Sequence, residues 1–322
     1  MTTGAAPATA TDESFVHPAL FYRDDDTYLA GTLPFIDAGL AAGEPVAVAV
    51  PRPRLDLLSV ELGDRAGKVR MIDMAQAGRN PGRIIPRVLR TFADAHPGSR
   101  VRIIGEPIWP GRNQAEYPAC VQHEALINDA FRDRAATILC PYDVTRLDEQ
   151  VLADAHATHP VLIEDAVERP STAYAPDRTV AAYNQPLPRP PGVPAFAFDG
   201  RLLPDVRTFA TRLAADLGLV DERLDDLALA VAELTTNSVI HGGGTGTLRI
   251  WAEDGQVVCE VYDRGHLTDP LAGRRLPPPT RPGGRGLLLV NHVSDLVRTH
   301  TTENGTTTRF YLDRTPPRSG NR

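Results

Sequence analysis

The chain has 322 residues, long for one domain and comfortable for two, and 42% of them are hydrophobic, enough to bury two cores. Its formal net charge is −7, and Lys68 is the sole lysine, so arginine carries nearly all of the positive charge. No basic stripe runs along it, which argues against direct nucleic-acid binding, and no apolar run reaches the length of a membrane span.

Three cysteines, Cys120, Cys140 and Cys259, are odd in number and widely spaced, with no C-x-x-C. That usage fits a reducing compartment rather than a disulfide framework, and a cytoplasmic protein is expected. The opening MTTGAAPATATDES lacks the basic and apolar regions of a signal peptide and reads as a disordered tail over residues 1–14.

From Phe15 helical patterns alternate with short β-rich runs. Residues 27–42 read as a helix with Leu29, Leu33, Ile36 and Leu40 on one face, and 45–50 as a continuous apolar strand. Helices over 54–62, 84–95 and 116–131 then alternate with strands over 69–74, 101–105 and 137–140. Such alternation predicts a parallel sheet covered by helices. A nucleotide-binding P-loop is missing: Val50 is followed by Pro51-Arg52-Pro53-Arg54, and Lys68 has no hydroxyl after it.

The stretches HPALFYRDDDTYLAGTLPFIDAGLAAGEPVAVAVP, VRIIGEPIWPGR, EALINDAF, CPYD and DAHATHP resemble the MEDS sensory domain over about residues 15–165. The resemblance implies a sensory module with a RecA-like core and an unknown signal ligand. Other groups in this half have two readings each. Asp24, Asp25 and Asp26 precede an amphipathic helix, where acidic residues act as caps and dipole partners more often than as cation ligands. Cys120 and His123 have a zinc-like spacing without a second pair, so packing is the favoured role. Glu106, Trp109 and Arg112 lie after a strand, where ligands bind in open α/β sheets, and form either a signal pocket or a structural turn. His156 and His159 read as structural rather than catalytic.

Seven prolines between 166 and 194 predict an extended linker tethering two separate domains. Beyond it, 201–217 and 221–241 read as helices, 247–252 and 256–262 as a hairpin about Asp254-Gly255, 286–293 as a helix, and 296–301 with 306–312 as a hairpin about Asn304-Gly305.

Within LALAVAELTTNSVIH (227–241), Leu227, Val231, Leu234 and Ile240 supply an apolar stripe, while Glu233 and Asn237 stand one turn apart on another side. A carboxylate above a carboxamide is a place to hold Mg²⁺ and a nucleophile. Asp263, at a strand end, can accept from the exocyclic amine of adenine, with Gly265 allowing close approach. Gly283-Gly284-Arg285-Gly286-Leu287 opens a helix whose N–H groups can hold phosphate.

The ordered motifs E-L-x-x-N-x-x-x-H, D-x-G and G-G-x-G-L resemble the ATP-binding domain of the GHKL (Bergerat-fold) superfamily over residues 195–313, and most of all the anti-sigma-factor serine kinases. The implied fold is an α/β sandwich on a mixed, mainly antiparallel sheet, followed by a tail over 314–322. The resemblance implies ATP and Mg²⁺ as cofactors. Asn237 then ligates Mg²⁺, Glu233 prepares a serine hydroxyl of a protein substrate, and Asp263 with Gly265 reads adenine. ATP then lies between the long helix and the loop 266–282, Gly284 and Gly286 shape the lid around the phosphates, and Arg285 joins backbone groups on the phosphates. The implied partners are an anti-anti-sigma (STAS-type) protein, a sigma factor, or both, with a homodimer as in related kinases.

Two other functions compete with the kinase: a non-catalytic ATP-dependent protein-binding switch, and a sensor histidine kinase. The latter is weakened because no histidine lies between His159 and His241, so a phospho-acceptor hairpin is missing.

Overall fold

The computed structural model describes residues 15–276 and 284–314; the tails and residues 277–283, which take in part of the expected loop 266–282, lie outside it. The first half runs β1 (Phe15–Val16), β2 (Pro18–Tyr22), α1 (Asp25–Ala41), β3 (Val46–Val50), α2 (Arg52–Leu62), a 3₁₀ turn (Gly63–Lys68) and β4 (Val69–Asp73). Next come α3 (Met74–Ala77), α4 (Pro81–Arg83), a π-helical stretch (Ile84–Leu89), α5 (Arg90–Asp94), β5 (Val101–Gly105), α6 (Tyr117–Ala130), β6 (Ala136–Asp143), α7 (Glu149–Thr158) and β7 (Val161–Glu164). The remainder is β8 (Val167–Pro170), α8 (Pro176–Ala182), β9 (Ala195–Asp199), α9 (Leu203–Asp216), α10 (Glu222–His241), β10 (Thr245–Glu253), β11 (Gln256–Asp263), α11 (Gly286–Val293), β12 (Leu296–Thr302) and β13 (Gly305–Asp313).

These elements fall into two compact units. One is cut from Met1–Met74, Leu89–Pro110 and Ile127–Pro176, the other from Ala75–Val88, Gly111–Leu126 and Asp177–Arg322.

The first unit is built on a sheet of order β4-β3-β5-β6-β2-β7-β8, with β1 beside β6. Every pairing is parallel except β7 with β8. The apolar run Val46–Val50 is buried at every position, as a strand needs when both its faces are covered. On α1 the fully buried face is Tyr28, Thr32, Ile36 and Gly39, while Leu29, Leu33 and Leu40 pack half-buried beside it. Gly39 is required there, because a methyl group would come within 2.7 Å of Arg102 Cδ and 2.9 Å of Val46 Cγ2. Asp24 caps α1, its side chain accepting from the Thr27 N–H at 2.8 Å, so capping is the role of at least this acidic residue.

Two local expectations change. The helix expected over 84–95 contains the π-helical stretch, which includes Pro86; a proline cannot donate to the turn before it, and the ladder widens to accommodate that. The proline-rich stretch contains β8 and α8 rather than extended chain alone. Helix α8 starts on Pro176, a position where the missing N–H has no intrahelical partner to lose.

The second unit is organised on an antiparallel sheet of order β12-β13-β11-β10-β9. One face packs against α9, α10 and α11 through a core that includes Val206, Leu227, Val231, Ile250, Val257 and Phe310. The opposite face buries Trp251, Val258, Leu296 and Tyr311 together with Ala119 of α6 and Val193. Asp254 and Gly255, both at positive φ (45° and 82°), close β10 onto β11 as the Asp-Gly pair predicts. Among the described residues no helix is long and apolar enough to cross a membrane.

Candidate functional site: a nucleotide cavity between α10 and α11

Helix α10 buries Leu227, Ala230, Val231, Leu234, Thr235 and Ser238. Ile240, expected in that stripe, is 65% exposed. Six residues beyond Leu234, it lies about 120° around the helix from it, and Ser238 takes the inward position instead. Glu233 and Asn237 are half-buried on an adjoining side.

The first residue of α11, Gly286, stands against that pair. A methyl group on it would lie 2.5 Å from Glu233 Oε2 and 3.2 Å from Asn237 Nδ2, so hydrogen alone fits without displacing the carboxylate. Gly284, just before the helix, has φ 78°, in the left-handed region that glycine enters without strain.

Asp263 ends β11 with both carboxylate oxygens held. Oδ1 accepts from the Gly265 N–H at 2.8 Å, and Oδ2 accepts from the Ser238 hydroxyl at 2.6 Å. Each oxygen retains a second acceptor position for a ligand amine. The Gly265 carbonyl in turn accepts from Thr306 Oγ1 at 2.8 Å.

A cavity of about 770 Å³ opens here, with Asn237, Ser238, Asp263, Gly265, Gly284 and Gly286 among its walls. That volume lies within the roughly 300–1,000 Å³ of small-molecule and cofactor sites. Glu233 and the exposed Arg285 are not in the wall. Adenosine triphosphate fits this donor set: a buttressed carboxylate for an amine, an amide oxygen as a hard Mg²⁺ ligand, and glycines at a helix start.

Sequence reasoning missed Ser238, Gly242 and Thr306. The signal for Gly242 was present in the His241-Gly242-Gly243-Gly244 run that follows the helix. At φ −100° its backbone has no need of glycine, but a methyl group there would stand 2.4 Å from Asp263 Cγ. Gly242→Ala is therefore expected to push Asp263 aside and weaken adenine-nucleotide binding roughly tenfold, at about 1–3 kcal/mol of overpacking cost. Calorimetric titration with ATP and a thermal melt check both effects.

The far end of α11 is also tied down. Asn80 Nδ2 and Arg83 Nε donate to the Asn291 carbonyl at 2.9 and 3.0 Å, and Asn291 Nδ2 donates to the Gly273 carbonyl at 3.1 Å. Carbonyls in the last turn of a helix lack intrahelical donors, and these side chains supply them.

In the first unit, Glu106 follows β5, only 2% exposed, with the Tyr22 hydroxyl donating to its Oε1 at 3.3 Å. Oε2 has no hydrogen-bond partner among the described residues. Arg112 instead donates to the carbonyls of Arg79 and Gly78 at 2.7 and 2.6 Å, a structural engagement. Burial pushes the Glu106 carboxyl up to about 8, against the opposing pull of Arg54 and the Tyr22 hydrogen bond, with Asp143 adding to the rise. A raised folded pKa means the folded state holds its proton more tightly. Its stabilising contribution is complete below the ordinary glutamate value of 4.5 and is lost as pH rises through about 8. Glu106→Gln, which stays neutral, should be more stable than wild type at pH 8 by on the order of 3 kcal/mol, and equal to it near pH 4. Denaturant melts across that range check it.

Residues 196–312, which carry this sheet and cavity, match the family described as Histidine kinase-like ATPase domain. Residues 16–160 match MEDS, the MEthanogen/methylotroph, DcmR Sensory domain. The protein thus carries a MEDS domain at its N-terminus and a GHKL-like ATPase domain at its C-terminus.

Over 117 residues it is 28% identical to the Anti-sigma F factor of Clostridium acetobutylicum, an alignment covering 33% of this chain and 80% of that protein. A solved structure of the RsbU and RsbW domains of a Mycobacterium tuberculosis protein is 21% identical, with TM-score 0.28, over 37% of this chain. The match spans about a third, 32%, of that protein's chain. The catalytic domain of the histidine kinase ThkA is 18% identical with TM-score 0.26, over 38% of this chain and 99% of that one.

Proposed function

We propose that the protein is a cytoplasmic anti-sigma regulatory factor whose C-terminal domain is an ATP-dependent serine kinase, acting on an anti-anti-sigma partner and controlled by its MEDS domain. The observation that supports the reading is the packing of Gly286 against both Glu233 and Asn237, a carboxylate and a carboxamide side by side next to the cavity. The likeness to the Clostridium acetobutylicum anti-sigma F factor supports the choice of partner class.

Bound Mg²⁺-ATP supplies the phosphoryl group. Asn237 is the residue to hold the metal through its amide oxygen, Asp263 and Gly265 to orient adenine, and the backbone around Gly284 and Gly286 to face the phosphates. Glu233 accepts the proton of a serine hydroxyl presented by the partner. Arg285, exposed at the start of α11, is free to swing toward phosphate.

One observation favours a second reading, a non-catalytic switch that binds partners only when ATP is held. The groups that line the cavity, Asn237, Asp263, Gly265, Gly284 and Gly286 among them, make a nucleotide site whether or not Glu233 acts as a base. Incubating the purified protein with labelled ATP, Mg²⁺ and candidate anti-anti-sigma proteins decides between them. Label on a partner serine supports the kinase, whereas ATP-dependent complexes without label support the switch.

A further inference from the structure

We propose that His17, Cys140 and His159 of the MEDS domain form a binding site for one transition-metal ion of the zinc class. One donor atom from each lies within 4.8 Å of the others, and the residues are 0%, 1% and 0% exposed. The topology brings them together. His17 sits between β1 and β2, which both pair in parallel with β6, where Ala19 aligns with Cys140. His159 caps α7 just before β7, which pairs with β2 on its other side.

The hydrogen bonds around the histidines select the tautomer that metal ligation needs. Asn128 Nδ2 donates to the Thr158 carbonyl at 2.8 Å, which turns its Oδ1 toward His17 Nδ1, 3.2 Å away. His17 therefore carries its proton on Nδ1, and its Nε2, 3.4 Å from Cys140 Sγ, presents a lone pair. His159 Nδ1 lies 2.9 Å from the Ala155 carbonyl, an acceptor only, and 3.0 Å from the Thr158 hydroxyl, whose own proton goes to the Asp154 carbonyl at 2.8 Å, so the His159 proton is also on Nδ1 and its Nε2 is basic. The two imidazole rings stand 4.0 Å apart, centroid to centroid. Outer carbonyl and amide acceptors that fix Nδ1–H and aim Nε2 inward are the usual support of metal-bound histidine.

Bonds of about 2.0–2.1 Å to nitrogen and about 2.3 Å to sulfur in a tetrahedral arrangement place donors roughly 3.3–3.6 Å apart. The separation of His17 Nε2 from Cys140 Sγ meets that directly. Two imidazoles and a thiolate suit zinc, cobalt or copper and disfavour the oxygen-seeking Mg²⁺ and Ca²⁺. Cys120 and His123, with their zinc-like spacing, are not in this cluster. The site is independent of the kinase reading, since it lies in the other unit from the nucleotide cavity.

The test uses the full-length protein, stripped by chelator and titrated with Co²⁺ and then Zn²⁺. The expected result is one Co²⁺ per chain with a sulfur-to-cobalt charge-transfer absorption, displaced by Zn²⁺. Cys140→Ser removes that absorption, whereas Cys120→Ser and Cys259→Ser leave it intact. His17→Ala and His159→Ala each weaken binding by roughly a hundredfold or more, and Asn128→Ala, acting on ring orientation, by about 10- to 100-fold. Absence of the absorption in wild type at excess Co²⁺ overturns the proposal whether or not any variant folds. So does an absorption that survives Cys140→Ser in a chain whose circular dichroism is unchanged. In either case the three residues are a hydrogen-bonded core cluster.

Discussion

Asn237→Ala is expected to abolish Mg²⁺-dependent ATP binding. The residue is the carboxamide in the cavity wall on the α10 side, one turn from Glu233 and against the Gly286 backbone. Truncation removes a hard oxygen ligand that the adjacent Ser238 cannot replace, because Ser238 is buried about 100° around the helix and its hydroxyl donates to Asp263. The fold should survive, since Asn237 is half-buried and outside the core of the α10 stripe. Calorimetric titration with ATP, with and without Mg²⁺, measures the effect: the wild type should gain affinity with the metal and the mutant should not. Equal Mg²⁺-ATP affinity in both would remove Asn237 from the site.

Glu233→Gln separates holding the nucleotide from activating a nucleophile. The substitution preserves size and hydrogen bonding but removes the charge that accepts a proton. Because Gln keeps the size and leaves the lining groups Asn237, Asp263 and Gly286 in place, ATP affinity should stay near that of wild type. General-base assistance is worth about 10² to 10⁴ in rate, so phosphoryl transfer to a partner serine should fall by that factor at unchanged nucleotide occupancy. Single-turnover transfer from labelled ATP, with binding measured in parallel, reads both quantities. A mutant that transfers as fast as wild type would take the base role away from Glu233, and a wild type that transfers nothing while gripping partners in the presence of ATP would favour the switch.

The sequence by itself determined what depends on near neighbours. Period-two and helical apolar patterns located most helices and strands of both halves, because each element records which of its sides meets a core. The Asp254-Gly255 turn was legible because both residues must take positive φ. The spacing of Glu233 and Asn237 placed them one turn apart on α10, and the ordered motifs placed Asp263 and Gly286 at element ends.

Only the tertiary structure decided which distant groups meet. Periodicity says that a side is covered, not by what. Thus Tyr28, Thr32 and Gly39 rather than the leucines became the deepest face of α1, because the neighbouring strand and Arg102 approach closely enough to need a small residue. The partnership of Ser238, Gly242 and Asp263 depends on how β11 lies along the end of α10. That of Asn80 with Asn291, 211 positions apart, depends on α4 packing at the last turn of α11. His17, Cys140 and His159 carried no shared spacing and are neighbours only because β2 lies between β6 and β7 in the sheet. Strand order is a property of the whole chain, settled by the combined burial of many elements, and no local window of residues contains it.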